Sequence, residues 1–167
     1  PKNGPVKLLQ EIIESTREDA KYHNLHQMAR ILRVLVFQRL TDVYGDIPYS
    51  QSGLAFYEQV SKPQYDSQET IYSDMLEELD DAVDRIQPDQ NNFSDQDIIY
   101  KGDLAKWKRL GNSLMLRVGM RLSKADATKA QLWVKKAFDK GVFIANGDNL
   151  FVKFTDKTGR IDILMNG

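Results

Sequence analysis

Two histidines, His23 and His26, are the residues whose type and spacing first suggest chemistry. Because they lie three positions apart, a helix would carry both on one side, where they could offer nitrogen ligands to a metal ion. A metal site needs at least one further ligand, and the sequence places none with them. We therefore interpret the pair as ordinary surface or capping residues at a helix start.

Acidic and amide side chains are also concentrated in the polar stretch of residues 87–97, at Asp89, Asn91, Asp95 and Asp97. A calcium-binding EF-hand loop needs glycine at its sixth position and glutamate at its twelfth. Here those positions hold Ser94 and Tyr100, so the EF-hand pattern fails. We interpret the stretch as a solvated loop, and a looser calcium site stays open as an alternative.

A catalytic constellation is absent from the sequence. Ser113 and Ser123 have no base near them, and there is no cysteine to serve as a nucleophile or thiolate ligand. The acid pairs at residues 77–78 and 80–81 fall on the solvent side of a predicted helix, which is typical of a charged surface. The sequence predicts no enzyme, no cofactor and no metal.

Length and charge limit the class of protein further. The 167 residues suffice for one domain with a real core, and the net charge of −1 gives no general attraction to nucleic acid. No apolar run approaches the roughly 18 residues that a membrane span requires. The chain begins without methionine, and we expect residues 1–167 to be a single segment of a longer protein.

Helical spacing of apolar residues dominates the rest of the chain. It predicts five helices, over residues 5–18, 24–43, 68–86, 104–123 and 127–140. The second is apolar around most of its circumference, so we expect it to be buried on more than one side. We expect helix starts to be capped by Asp66 together with Glu69, by Asp103 and by Asp126.

The predicted fold class is all-α, built of antiparallel helical hairpins. The fourth helix carries W-x2-L-G-x2-L, from Trp107 to Leu114, which is close to the start of a tetratricopeptide repeat. Its glycine, Gly111, would let a partner helix approach closely. We expect Trp107 and Trp133 both to be largely buried. The Asn146–Gly147 pair between two apolar runs indicates a short β-hairpin near the C-terminus.

The stretch LTDVYGDIPYSQ, residues 40–51, admits two interpretations. Exposed aromatic rings can stack on the C–H face of a sugar while acids and amides bind its hydroxyls. We favour a structural turn, in which Val43 and Ile47 are buried. In that turn Gly45 takes a conformation closed to other residues, and Asp42 or Asp46 accepts a hydrogen bond from a backbone amide.

Three motifs then carry a resemblance to a known family. They are D-x-Y-G-D-x-P-Y at residues 42–49, P-x-Y-D-x-Q-x-x-I-Y at 63–72 and D-x-x-x-W-x-x-x-x-N-x-L-x-L-R-x-x-M-R at 103–121. Together with GVFIANGDN at 141–149, they resemble the SusD/RagB family of nutrient-binding outer-membrane lipoproteins of Bacteroidetes. The resemblance covers residues 25–154.

The resemblance implies tetratricopeptide-like helical hairpins and a surface lipoprotein that captures a glycan or other nutrient. It further implies delivery to a SusC-like TonB-dependent transporter, and a lipid anchor outside this segment as the contact with the membrane. It implies binding without catalysis. An alternative from the residues alone is a helical-repeat scaffold that binds only a protein or peptide.

The resemblance transfers no ligand-binding residue position by position. We interpret its shared positions as scaffold: Asp42, Tyr44, Gly45, Asp46, Pro48, Trp107, Asn112 and Arg117. Ligand contact is expected instead from aromatic residues in less patterned loops, namely Phe56, Tyr57 and Phe93.

Overall fold

The computed structural model describes residues 4–54, 57 and 62–152. Within them the chain forms five α-helices: α1 (Pro5–Thr16), α2 (His23–Tyr44), α3 (Gln68–Arg85), α4 (Leu104–Arg121) and α5 (Ala127–Asp139). The described part contains no β-strand, only an isolated bridge between Ile47 and Asp66. The prediction of an all-α fold is confirmed, and each helix ends within three residues of its predicted bounds.

Successive helices pack against one another as hairpins, and α2 also contacts α4. The core lies between α2, α3 and α4, where Ile31, Ile71 and Leu114 have no exposed surface. Helix α2 is buried on more than one side, as its apolar circumference predicts. None of the described helices is long and apolar enough to cross a membrane.

Gly111 on α4 sits where the helices approach most closely. A Cβ atom built there would lie 2.3 Å from Cγ2 of Val83 on α3 and 3.3 Å from Cδ1 of Ile31 on α2. No side chain fits at that distance, so α4 can touch both neighbours only because this residue is glycine. The predicted close helix approach is confirmed.

Capping explains where the helices begin, with one correction. Asp103 and Asp126 accept hydrogen bonds from the amides of Lys106 and Lys129, as predicted. The predicted cap at Asp66 is wrong, because Ser67 caps α3. The Ser67 hydroxyl accepts the Thr70 amide, while Asp66 turns back to the preceding loop.

The acidic side of α3 is paired rather than solvated. Arg30 on α2 makes a bidentate contact with Glu78, at 2.8 and 3.0 Å. On the other side, Asp80 pairs with Lys136 and Lys140 of α5. The expectation of a solvent-facing charged surface is therefore wrong at these positions, and the pairs align α3 with both neighbours.

Two predictions near the C-terminal end need correction. Asn146–Asp148 forms a 3-10 turn and not a hairpin, because the Asp148 carboxylate accepts the Ile144 amide and pairs with Arg109 of α4. Those contacts fold the turn back onto α4. Trp107 is buried as predicted, whereas Trp133 is only partly buried, lying against Lys136 at the edge of α5.

Candidate ligand-binding groove

An open cavity of about 480 Å³ lies between α1, α2 and the loop after α3. We call it the Phe93 groove. Its floor is apolar and comes mainly from the helices, with Ile12, Leu25, Met28 and Leu32 among its lining residues. Polar side chains reach it from Lys21, Asn91 and Gln96. A mostly apolar cleft with few polar groups is the usual form of a small-ligand site.

Three aromatic residues line the groove, Tyr22, Phe93 and Trp107, and two of them stack on each other. Tyr22 and Phe93 stack with their centroids 5.9 Å apart and their planes inclined by 16°. Phe93 has φ of 56°, which a bulky residue rarely adopts. Its amide donates to Oδ1 of Asn91 at 2.9 Å, and its carbonyl accepts the amides of Gln96 and Asp97. The loop therefore holds the ring in place against a conformational cost.

The Asp97 carboxylate holds the loop that carries Phe93 in place through hydrogen bonds. Its Oδ1 accepts the amides of Ile99 and Tyr100, and its Oδ2 accepts the Gly102 amide and the Trp107 indole N–H. Burial opposes the charge, but these donors outweigh it and hold the pKa of Asp97 below its ordinary value. A carboxylate so fully bonded is structural and is not available for proton transfer.

Asn24 fastens the other end of the loop to α2. The side chain is completely buried. Its Nδ2 donates to the carbonyls of Gln87 and Asn91, and its Oδ1 accepts the Gln87 amide at 2.9 Å. Sequence reasoning missed Tyr22 and Asn24 as parts of a site. Asn24 stands at the start of an apolar helix, and a buried polar residue there is a signal only once its partners, 63 to 67 residues away, are known.

Of the two predicted ligand contacts that the structure describes, only Phe93 lies in the groove. Phe93 lines the groove, and Phe56 lies outside the described residues. Tyr57 is 44% exposed and is not part of the groove lining. The groove can stack a ring against Phe93 and Tyr22 and offer amide and ammonium groups to hydroxyls. Its lining holds no nucleophile with a base.

The turn at residues 40–51 is closed by its own contacts. Gly45 has φ of 72° and ψ of −122°, which only glycine tolerates, and Ile47 is buried. Val43 is 73% exposed, so its predicted burial is wrong. It occupies the outward side of the last turn of α2, while Asp42 beside it bonds the Tyr72 hydroxyl and pairs with Arg121.

Asp66 and Asp46 join the turn to α3. Asp66 accepts the amides of Tyr49 and Ser50 at 3.0 and 2.8 Å. Asp46 accepts the Gln68 amide at 2.9 Å, which confirms the predicted bond to a backbone amide. Of the other motif positions, Tyr44 is exposed and Pro48 is half-buried.

Replacing Asp46 with alanine should lower the free energy of unfolding by about 1 kcal/mol, because an amide in the first turn of α3 loses its acceptor. Thermal unfolding measures the loss, and glycan affinity should not change. Glu69→Ala is the control, since Glu69 is exposed in the same turn. An Asp46→Ala protein of unchanged stability but abolished binding would make the turn a ligand site.

The motif residues of α4 differ in what they contact. The Asn112 amide donates to the carbonyls of Lys140 and Gly141. These bonds hold the C-terminal end of α5 against α4. The Arg117 side chain is half-buried and forms no hydrogen bond or ion pair with any described residue. The scaffold role that the resemblance implies for both residues stays a prediction.

The histidines contact the scaffold. Nδ1 of His26 lies 3.0 Å from the Thr16 hydroxyl, and Nε2 of His23 lies 2.6 Å from the Arg85 carbonyl. Burial, followed by the charge of Arg30, lowers the pKa of His26. Across the described residues, no three histidine, cysteine, aspartate or glutamate side chains are placed to hold a metal ion.

The hairpin stack of the described residues defines an all-helical, tetratricopeptide-like fold with an open groove. A family model described as SusD-like, "Starch-binding associating with outer membrane", matches residues 2–166. The chain therefore belongs to the SusD-like family. A comparison with curated protein sequences gives no match.

Solved structures agree with this assignment. One described as a chitin-binding protein is 37% identical, with a TM-score of 0.81 over 88% of this chain. A Bacteroidetes SusD-like protein is 32% identical, with a TM-score of 0.80 over 90% of this chain. A chitin-binding SusD homologue from Flavobacterium johnsoniae is 31% identical, with a TM-score of 0.75 over 89% of this chain.

The match covers only part of each relative. The chain spans 31%, 27% and 32% of the lengths of these three proteins. The family is associated with the outer membrane and with glycan binding. Because the chain spans about a third of each relative, the ligand and the location of the whole protein do not follow from these matches alone.

Proposed function

We propose that this chain is the helical part of a surface lipoprotein that captures a glycan and delivers it to a SusC-like TonB-dependent transporter. The observation that supports this most is the 37% identity to a chitin-binding protein over 88% of the chain, together with membership of the SusD-like family. The lipid anchor would lie outside this segment, and the protein would bind its ligand without converting it.

Within this segment, the Phe93 groove is the place where we propose ligand contact. Phe93 and Tyr22 present aromatic surface to an open cleft, and rings of this kind stack on the C–H face of a pyranose. Lys21, Asn91 and Gln96 supply donors and acceptors for hydroxyl groups. A chitin oligosaccharide, whose N-acetyl groups add apolar surface and amides, suits such a lining. Phe56 and Tyr57 remain proposed contacts outside the groove.

Replacing Phe93 with alanine should weaken chitin oligosaccharide binding by the full-length protein by about fivefold, because one stacked ring is worth about 1 kcal/mol. Calorimetry gives the affinity directly. Phe138→Ala is the matched control, since Phe138 is 67% exposed on α5 and away from the groove. Tyr57→Ala should also weaken binding, because Tyr57 is a proposed contact outside the groove.

The variants separate the alternatives. Loss of affinity in Phe93→Ala with unchanged Phe138→Ala supports the groove. Equal affinity in all three variants and the parent would place the glycan site elsewhere in the full-length protein. A full-length protein that binds the transporter but no glycan would favour the alternative of a scaffold that binds only protein.

A further inference from the structure

A second groove lies farther along the same helices, between the C-terminal half of α2, α4 and the chain after α5. We call it the Arg117 groove; its volume is about 310 Å³. Its floor is aliphatic, made by Leu35, Leu110, Leu116 and Leu150, and Phe143 forms one wall. Two guanidinium groups, those of Arg39 and Arg117, stand on its lining.

Neither arginine is neutralised by the part of the chain that the structure describes. Arg39 and Arg117 form no ion pair or hydrogen bond there, whereas Arg30, Arg85 and Arg109 each bind a carboxylate. Burial, followed by the charges of Arg121 and Arg39, lowers the pKa of the Arg117 guanidinium. Among the described residues, the groove therefore carries two guanidinium groups without a paired carboxylate, at the exposed Arg39 and the half-buried Arg117.

Asp42, the carboxylate whose charge acts on Arg117, already binds other groups. Asp42 acts on Arg117 only through its charge. One of its oxygens accepts the Tyr72 hydroxyl, and the other lies 3.2 Å from Nη2 of Arg121 and 3.4 Å from Nε2 of Gln38. Because both oxygens are bonded to other groups, a further carboxylate is needed to pair with Arg117.

The walls of the groove are held in place. The Phe143 amide donates to the Ser113 hydroxyl at 2.8 Å, which fixes the wall against α4. The Asn112 amide holds the carbonyls of Lys140 and Gly141 just before it. The shape of the cleft is thus set by hydrogen bonds of the described chain and exists before any partner binds.

Exposed apolar residues continue this surface beyond the arginines. Val43 follows Arg39 by one helical turn and is 73% exposed, and Met120 follows Arg117 by three positions and is 52% exposed. The Asp42–Arg121 pair shows that these two helix ends lie side by side. A solvated surface seldom combines unpaired cations with large exposed apolar side chains, and protein interfaces often do.

We propose that the Arg117 groove is a docking site for a partner protein. The partner places a large apolar side chain on the leucine floor and a neighbouring carboxylate against Arg39 and Arg117. Arginine is often used for ion pairs at interfaces, because its planar guanidinium group can bind both oxygens of a carboxylate. The aliphatic floor accommodates an apolar side chain and the two guanidinium groups favour a carboxylate, so the groove suits an acidic, apolar peptide segment.

The test is a titration of the full-length protein with the peptide acetyl-Leu-Glu-Phe-Asp-amide, observed through the arginine side-chain N–H signals by nuclear magnetic resonance. The control peptide, acetyl-Leu-Gln-Phe-Asn-amide, has the same shape without the charges. We expect saturable binding of the acidic peptide with shifts at Arg39 and Arg117, and roughly tenfold weaker binding of the control.

Three arginine variants test whether the acidic peptide binds in the Arg117 groove. Arg39→Met and Arg117→Met, which keep most of the apolar stem, should each weaken acidic-peptide binding roughly fivefold. Arg85→Met on α3 should leave it unchanged. Equal binding of both peptides, or equal binding by all variants, overturns the proposal. Absence of binding, with a lower melting temperature of Arg117→Met, would instead mean that the protein's own polypeptide fills the groove.

Discussion

Asp97→Asn should lower the free energy of unfolding by about 3 kcal/mol, because several buried donors lose a charged acceptor. Four donors converge on this carboxylate: the Trp107 indole and the amides of Ile99, Tyr100 and Gly102. An asparagine can accept through one atom only, and its NH2 group would face donors. Denaturant unfolding followed by tryptophan fluorescence measures the change.

Asp95→Asn is the matched control, since Asp95 is an exposed acid of the same loop. Its stability should equal that of the parent within a few tenths of a kcal/mol. If the two variants lost stability equally, general loop charge rather than the Asp97 contacts would be responsible.

Acid should reproduce the effect in the parent protein. The pKa of Asp97 is held below its ordinary value in the folded chain, so the unfolded chain binds a proton more readily. The contribution of Asp97 is complete above its unfolded pKa of about 3.9 and is lost as the pH falls through the lower folded pKa. The difference in stability between parent and Asp97→Asn should therefore shrink below about pH 4.

Gly111→Val should cost about 3 kcal/mol of stability, because a side chain here meets Val83 and Ile31 in a filled core. Gly147→Val is the control, as a Cβ atom at Gly147 meets nothing within 4 Å. Removing the obstructing methyl groups with Val83→Ala should recover part of the loss in the double variant. Equal losses at Gly111 and Gly147 would contradict the close helix approach.

The helices could be predicted because the pattern that defines them is local. Apolar spacing and the caps at Asp103 and Asp126 lie within a few residues of each helix start, and they place four of the five starts correctly to the residue. The sequence alone predicts the wrong cap for α3, because the neighbours Asp66 and Ser67 are both good capping residues. Only the loop carrying Tyr49 and Ser50, which takes Asp66 for itself, decides between them.

The candidate groove was only partly predictable, since its parts come from distant positions. Composition predicts the loop at residues 87–97, and Phe93 is expected as a contact because it is an aromatic residue in a loop that the shared motifs leave out. Tyr22 reaches Phe93 across the helices, and Asn24 bonds carbonyls more than 60 residues away. Nothing in the local pattern reports such pairs, and the same limit applies to the Asp148–Arg109 contact that replaces the predicted hairpin.

Calorimetry of the full-length protein against a glycan panel that includes chitin and starch oligosaccharides tests the central claim, with product analysis of the same mixtures by chromatography. The account predicts saturable binding of at least one glycan and recovery of that glycan intact. A folded protein that binds no glycan of the panel, or one that cleaves the glycan it binds, would contradict it.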